Sequence, residues 1–145
     1  MPRIDVSTET ARLDRDLIYH YLTRHSHWAR DMPRATLERA LRHSLVFGAY
    51  HGTRQVGFAR VITDHATFAY LSDVFILPEA RGQGAGRALM SAVLAHPDLQ
   101  ELRRFLLVSR DARPFYARLG FVAPGDAERY MELRRPHMSA RERAA

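Results

Sequence analysis

Hydrophobic and polar residues follow two kinds of spacing along this chain. Alternating or short apolar runs are typical of strands, whereas apolar residues three and four positions apart are typical of helices. Strands are predicted over residues 3–6, 45–50, 55–63, 68–77, 103–109 and 128–134. Helices are predicted over residues 11–24, over residues 33–43, from the glycines of residues 82–86 to Pro97, and over residues 112–119.

The order of these elements is β-α-α-β-β-β-α-β-α-β. Residues 45–63 form a predicted hairpin, because only a turn-length segment separates the two apolar runs. A central run of antiparallel strands with helices before and after it indicates an α+β fold with a mixed, mostly antiparallel sheet. We expect one domain over residues 1–134 and a polar tail over residues 135–145.

The composition removes several kinds of chemistry. The 145 residues include no cysteine, which excludes a disulfide, a thiolate metal site and a cysteine acyl-enzyme. They also include no lysine, which excludes a Walker-type phosphate loop and Schiff-base catalysis. All 22 basic residues are arginine, a bias that we interpret as codon usage in a GC-rich bacterial genome.

The net charge of +6 suits an anionic partner such as a nucleic acid, a membrane or a polyphosphate cofactor. The arginines are scattered, which favours a solvated basic surface over nucleic-acid binding. No run approaches the roughly 20 apolar residues of a membrane helix, and the polar start lacks a signal-peptide pattern. We therefore expect a cytoplasmic protein without a membrane partner.

The segment PEARGQGAGRALM, residues 78–90, joins a predicted strand to a predicted helix. Its glycines let backbone N–H groups converge, and the helix start adds unpaired N–H groups and the positive end of the helix dipole. A phosphate is the natural occupant of such a site, although a tight turn without a ligand has the same composition. A dinucleotide fingerprint is disfavoured because the third glycine comes one residue early.

Two motifs, in the order in which they follow each other along the chain, resemble those of the GNAT superfamily of N-acetyltransferases. Arg-x-x-Gly-x-Gly, which starts at Arg81, resembles the pyrophosphate loop of that family. ARPFYARLGF, residues 112–121, resembles its second signature, a short helix that Gly120 closes. The resemblance implies acetyl-CoA as the cofactor, held in the gap of a splayed strand pair, here residues 68–77 and 102–109.

The resemblance also implies which residues hold the cofactor. The backbone of residues 74–76 would pair with the pantetheine arm, and the N–H groups of residues 82–87 would bind the pyrophosphate. Ser109 stands where family members commonly have an asparagine, and Asp111 is predicted to cap the following helix. The implied cofactor residues are Val74, Phe75, Ile76, Arg81, Gly82, Gln83, Gly84, Ala85, Gly86, Arg87, Ser109 and Tyr116.

In this family the acceptor amine attacks the thioester directly, and the resemblance implies that Tyr116 is the general acid for the departing thiolate. Packing of Tyr116 beside Phe115 is the alternative. The base stays open, because Ser72 stands where family members often carry a glutamate. Asp73 is the nearest carboxylate, but in a regular strand it faces away from Ser72 unless a bulge re-aims it, and a structural bond to an arginine is equally open. A water held by Ser72 and Tyr70 is the third candidate.

The acceptor site is the least defined part of the prediction. The only tryptophan, Trp28, lies in a loop over residues 25–33, and loop aromatics often line pockets. The weaker candidates are Tyr19, Arg60, Phe68 and Tyr70. Arg60 is predicted either to bind a carboxylate of the acceptor or to pair with Asp64. The histidines at positions 20, 25 and 27 have no helical pair with a carboxylate, so a metal site is not expected.

Sparse acidic residues favour a small-molecule amine over a polycation as the acceptor. Acetylation of a protein lysine or N-terminus would keep the fold and change the target. Ser72 and Ser109 differ from the residues that family members commonly carry there, which supports a non-catalytic acyl-CoA-binding module. The basic charge supports a DNA-binding domain. The sequence leaves a homodimer open.

Overall fold

The structure is a computed structural model, and it describes residues 3–135. The chain divides into two compact units, Met1–Leu107 and Val108–Ala145. The strands of the first unit are β1 (Ile4–Ser7), β2 (Leu45–His51), β3 (Arg54–Thr63), β4 (Phe68–Ile76) and β5 (Arg104–Leu107). Its helices are α1 (Arg15–His25), α2 (Arg34–Arg42) and α3 (Ala85–Ala95). The second unit contains α4 (Arg113–Arg118).

The five strands form one sheet in their order along the chain. β1 to β4 are antiparallel neighbours, and β5 runs parallel to β4. The connections explain this, because β2, β3 and β4 are joined by short turns whereas β4 reaches β5 through α3. The structure therefore confirms the predicted α+β class with a mixed, mostly antiparallel sheet.

Helices cover both faces of the sheet. α1 begins where the Asp14 side chain accepts the N–H of Leu17 at 3.0 Å. The core between α1, α2 and the sheet includes Ile18, Leu22, Leu37, Leu41, Val46, Phe58 and Phe75. Phe47 follows Val46 along β2 and so points to the other face, where its ring meets His96 just after α3. α3 packs there against β1, β2 and β3.

The predicted strand over residues 128–134 is wrong. Residues 127–129 form a 3-10 turn, and residues 130–135 have no regular structure. An alternating pattern forms a stable strand only with a partner, and no strand among residues 3–135 pairs with this segment. Met131 and Leu133 are 96% and 81% exposed, so its apolar positions are not buried either.

Other predicted bounds change by smaller amounts. The helix predicted over residues 11–24 becomes a 3-10 turn at Thr10–Arg12 followed by α1. β5 ends at Leu107, two residues earlier than predicted. Residues 136–145 of the predicted tail lie outside the described residues, and the single domain over residues 1–134 stays a prediction. No helix in the described part of the chain is long and apolar enough to cross a lipid bilayer.

Candidate active site

The glycine-rich segment forms the turn between β4 and α3. Gly82 and Gly84 have φ angles of 77° and 81°, a left-handed conformation that residues with a Cβ rarely adopt. Gly84 is also the N-cap of α3. Gly86 lies inside the first turn of α3 and has no positive φ. The backbone path of the turn therefore requires the first two glycines and not the third.

The start of α3 offers backbone N–H groups to a ligand. No side chain caps it, and no acidic residue lies in its first turn. The N–H of Ala88 bonds to the carbonyl of Gly84 at 2.9 Å, so the N–H groups of Ala85, Gly86 and Arg87 precede the helical hydrogen-bond ladder. A Cβ placed on Gly82 or Gly84 would meet no atom within 4 Å. This open space beside unpaired N–H groups fits a phosphate group.

Arg81 and Arg87 flank the turn and differ in their contacts. Arg81 Nε donates to the carbonyl of Ile76 at 3.1 Å, and its Nη2 donates to the hydroxyl of Tyr21 at 3.0 Å. Arg81 therefore ties the turn to the end of β4 and to α1. The Arg87 side chain is exposed and has no hydrogen bond or ion pair with the rest of residues 3–135. Arg87 is the guanidinium that is better placed to bind a phosphate.

Gln83 and Ala85 support the turn from its inner side. The Gln83 side-chain amide donates to the carbonyl of Glu79 at 3.3 Å, and its Oε1 is buried without a partner among the described residues. Glu79 in turn accepts from Arg54 at 2.5 Å. Ala85 is buried as the first residue of α3. Both side chains therefore anchor the turn, and only their backbone is left for a ligand.

β4 and β5 separate after four paired positions. Their parallel register runs from Phe68 opposite Arg104 to Leu71 opposite Leu107, where β5 ends. β4 continues to Ile76 and stays paired with β3 there. The β5-facing backbone groups of residues 72–76 therefore lie beyond the ladder, as pairing with a pantetheine arm at Val74 to Ile76 would require.

A bulge interrupts β4 next to this point. Phe58 of β3 pairs with Phe75 and Arg60 pairs with Ser72, so residues 73 and 74 of β4 lie opposite the single residue 59. Asp73 has a φ angle of 54°. The extra residue reverses the alternation and turns the Asp73 side chain toward the face that Arg60 and Ser72 share. A regular strand would place Ser72 and Asp73 on opposite faces, so the predicted alternation does not hold here.

Both carboxylate oxygens of Asp73 have partners. Oδ1 accepts the indole N–H of Trp28 at 2.7 Å, and Oδ2 accepts Arg60 Nε at 2.7 Å. Arg60 also donates from Nη1 to the hydroxyl of Ser44 at 3.2 Å. Of the two roles left open for Asp73, the structure contains the bond to an arginine. Its role as a base stays a prediction.

The alternative pairing of Arg60 with Asp64 is wrong. Asp64 accepts the N–H groups of Ala66, Thr67 and Phe68 at 2.8–3.2 Å and the Thr67 hydroxyl at 2.6 Å. The Thr67 hydroxyl, followed by these backbone groups, holds the pKa of Asp64 well below its ordinary range. Asp64 thus closes the turn between β3 and β4 and is occupied there.

One face of β3 and β4 gathers most of the predicted acceptor residues. Cross-strand pairs share a face, and the register pairs Arg60 with Ser72 and Ile62 with Tyr70. Phe68 joins this face two residues before Tyr70. Ile62 and Phe68 are 42% and 39% exposed. Sequence reasoning missed Ile62, whose position on this face depends on the strand register.

Tyr19 and the histidines lie on other parts of α1 and its loop. Tyr19 packs against the core, and its hydroxyl donates to the carbonyl of Met32 at 3.0 Å. It supports the loop that carries Trp28, and its predicted contact with the acceptor stays a prediction. His20 lies by Tyr19, and His25 lies by Tyr21. Among residues 3–135 no three His, Asp or Glu side chains form a group that could hold a metal.

Tyr116 is buried in the second unit. Its ring contacts Phe115 and Phe121 with centroids 5.1 Å and 6.0 Å apart, and the contact with Phe115 is the packing that the sequence left as an alternative. Burial raises the pKa of its hydroxyl above the ordinary value. Gly120 closes α4 with a φ angle of 104°, as predicted. The structure thus contains the packing of Tyr116, and its role as general acid stays a prediction.

Ser109 acts on the backbone before α4. Its hydroxyl accepts the N–H of Ala112 at 2.9 Å. The predicted cap by Asp111 is wrong, because the N-cap is Ala112 and Asp111 instead lies 3.5 Å from Arg110 Nε. The serine hydroxyl is shorter than the asparagine side chain of the family, and here it satisfies a local backbone group.

An α+β sheet whose parallel strand pair ends beside a glycine turn at a helix start is the arrangement that the two sequence motifs predict for an acetyltransferase. The acetyltransferase (GNAT) domain model matches residues 7–139. A crystal structure of a GNAT-family protein from Xanthomonas campestris pv. campestris is 52% identical, covers 97% of this chain and 99% of that chain, and has a TM-score of 0.92. The chain therefore belongs to the GNAT family and is an N-acetyltransferase.

Two relatives extend the comparison. A candidate acetyltransferase of Gibberella zeae, FG08082, is 39% identical over 128 residues, which are 73% of this chain and 71% of the relative. Histone acetyltransferase TAP1 of Glycine max is 31% identical over 111 residues, which are 66% of this chain and 47% of the relative. This chain thus spans about half of the soybean protein.

Proposed function

We propose that this chain transfers an acetyl group from acetyl-CoA to the primary amine of a small molecule, by direct attack within a ternary complex. The observation that carries the proposal is the turn at Gly82 and Gly84. It opens onto the uncapped start of α3, just beyond the point where β4 has left β5. Family members generally use acetyl-CoA, and the residues of this turn fit its pyrophosphate.

The bound cofactor would supply an acetyl group activated as a thioester. The N–H groups of residues 82–87 and the guanidinium of Arg87 would hold its pyrophosphate, and the backbone of residues 74–76 would hold its pantetheine arm. A β4 N–H group near Phe75 would donate to the carbonyl oxygen as negative charge develops there. In the transfer the C–N bond to the amine forms and the C–S bond breaks.

The acceptor amine loses a proton in the same reaction. Asp73 is only 7% exposed, and both of its oxygens are already bonded to Trp28 and Arg60. Ser72 and Tyr70 lie on the same face of the sheet as Arg60, and both side chains are partly exposed. These contacts favour a water held by Ser72 and Tyr70 as the proton acceptor.

Tyr116 would give a proton to the departing thiolate, a role that rests on the family resemblance. Because burial raises its pKa, the hydroxyl carries a proton at neutral pH, as a general acid must. The phenolate then regains its proton from solvent before the next turnover.

Release of free thiol tests this function. The protein is incubated with acetyl-CoA and a panel of small primary amines, and thiol release is followed with a chromogenic disulfide. We expect release that depends on the amine, and a melting temperature that acetyl-CoA raises. If acetyl-CoA is neither consumed nor able to raise the melting temperature, the cofactor assignment is wrong.

A protein lysine or N-terminus is the second candidate acceptor. It is favoured by the similarity to the soybean protein that is named a histone acetyltransferase. Adding lysine-containing peptides to the same panel separates the two acceptors. A kcat/KM that is higher for the peptides than for every small amine would replace the first proposal with the second.

A further inference from the structure

Asp73 is held in an arrangement that is unfavourable in itself. Its φ angle of 54° lies in the left-handed region, which costs a residue with a Cβ conformational energy. Its carboxylate is also almost completely buried, and burial of a charge is unfavourable unless the charge is paired. Such costs persist where the surrounding structure compensates them, most often at functional sites. The partners of Asp73 therefore indicate what the arrangement is for.

The carboxylate joins residues that are distant in the sequence. Trp28 comes from the loop after α1, and Arg60 comes from β3. Through Arg60 the network reaches Ser44, between α2 and β2. Asp73 itself lies in the bulge of β4, beside the predicted reaction centre. The Asp73 side chain thus connects the loop that carries Trp28 to β4, the strand that would hold the acetyl group.

Trp28 depends on Asp73 for its orientation. The indole is 42% exposed, so burial alone does not hold it in place. Its one ring contact among residues 3–135 is with His27, edge-on with centroids 5.1 Å apart. The loop backbone is held separately, because the Ser26 hydroxyl accepts the N–H of Ala29 at 3.1 Å. Loss of the bond to Asp73 would therefore release the indole without unfolding the loop.

We propose that Asp73 is a positioning residue rather than the catalytic base, and that Trp28, which it orients, determines acceptor specificity. This inference rests on the proposed function. Asp73 neutralises Arg60, while Ile62 and Phe68 leave apolar surface exposed on the same sheet face. The indole, which its bond to Asp73 holds toward this face, and the apolar surface would together bind an apolar or aromatic group attached to the reacting amine.

Fluorescence tests the positioning directly, because Trp28 is the only tryptophan. Asp73→Asn leaves one acceptor oxygen for two donors, Trp28 Nε1 and Arg60 Nε, and the charged guanidinium takes it, so the indole loses its bond. Asparagine also tolerates the left-handed conformation. We expect Trp28 emission at longer wavelength and stronger quenching by acrylamide. The matched control is Asp98→Asn, which removes a carboxylate that pairs with His65 on the surface at 2.9 Å and should leave the emission unchanged. Unchanged emission and quenching in Asp73→Asn overturn the inference, whether or not any amine is acetylated.

Steady-state kinetics separate a positioning residue from a base. With 2-phenylethylamine as the acceptor, Asp73→Asn should raise KM about tenfold and change kcat less than about threefold. With ethanolamine, which lacks the apolar group, KM should change little. A base would instead lose about 100-fold or more in kcat for both amines. That result, with unchanged Trp28 emission, overturns the inference.

Trp28→Ala provides a second variant that does not depend on the folding of Asp73→Asn. It should reduce the preference for 2-phenylethylamine over ethanolamine about tenfold or more. In the double variant Asp73→Asn should raise KM no further, because both changes remove the same contact. Additive effects, or an unchanged preference in Trp28→Ala, overturn the inference. The rise in melting temperature with acetyl-CoA should persist in all three variants, which shows that the cofactor site is intact.

Discussion

The turn after β4 and the bulge within β4 are built in different ways. The turn presents main-chain N–H groups from consecutive residues, Gly82 to Arg87, and needs glycine for its backbone path. The bulge gathers side chains from separate elements, and Asp73 bonds to Trp28 across 45 positions of sequence. In the proposed function the turn holds the pyrophosphate of acetyl-CoA, whereas the bulge faces the acceptor.

This difference determines which substitutions each region tolerates. A main-chain site depends on backbone conformation, so it is lost when a residue cannot adopt the required φ angle. A side-chain site depends on single functional groups held by tertiary contacts, so removal of one group changes its geometry. The predictions below test this contrast, from the largest expected effect to the smallest.

Gly84→Val is expected to abolish the binding of acetyl-CoA. Its φ angle of 81° and the open space at its Cβ position mean that valine would be strained and would project into the proposed phosphate site. The control is Gly52→Val in the turn between β2 and β3, where φ is 57° and the space is equally open. Both variants should lose roughly 1–2 kcal/mol of stability. Only Gly84→Val should lose the rise in melting temperature with acetyl-CoA, and wild-type affinity in that variant would refute the phosphate site.

Tyr116→Phe is expected to lower kcat about 100-fold, because it removes the proton donor and keeps the ring contacts. The pKa of Tyr116 is raised by burial, so the wild-type hydroxyl stays protonated beyond pH 10 and activity should fall only as the pH rises through the raised pKa. The pH profile of kcat checks this, and the variant should lack that alkaline limb. A wild-type kcat would show instead that Tyr116 is only a packed aromatic residue.

Tyr21→Phe tests whether the turn also depends on side chains. It removes the hydroxyl that accepts from Arg81 and keeps the ring, which stacks on Phe75 with centroids 4.0 Å apart. Loss of one such bond, about 1 kcal/mol, should weaken acetyl-CoA binding about fivefold, as measured by calorimetry. The matched control is Tyr19→Phe in the same helix, whose hydroxyl bonds to Met32 instead. Equal weakening in both variants would contradict the tether through Arg81.

Tyr50→Phe is expected to have the smallest effect and to leave both regions unchanged. The Tyr50 hydroxyl is buried without a partner among the described residues, so its removal should not destabilise the fold and could add about 1 kcal/mol. Burial raises the pKa of Tyr50. The stability linked to this group is therefore complete below about pH 10 and is lost as the pH rises through the raised pKa. Urea unfolding at pH 8 and above pH 10 should show that the free energy of unfolding falls less with rising pH in the variant than in the wild type. A variant that is much less stable than the wild type at pH 8 would instead show that the hydroxyl has a hydrogen-bond partner.

Sequence patterns predicted elements well where the needed information is local. The glycine turn, the helix after it and the Gly120 cap follow from residues that are neighbours in the chain. The pattern over residues 128–134 failed because a strand also needs a partner, which its own residues do not specify. Ile62 and Tyr21 were missed for the same reason, since their roles depend on the strand register and on contact with Arg81.

The sequence by itself determined the family, the α+β class and the residues of the glycine turn, because a turn of this kind depends on glycines and a helix start at fixed spacing. Only the tertiary structure decided the surroundings of Asp73. Alternation along β4 places it away from Ser72, and the bulge opposite residue 59 turns it back toward Arg60 and Trp28. A bulge arises from the pairing of two strands, so its effect on a side chain appears only when both strands are in place.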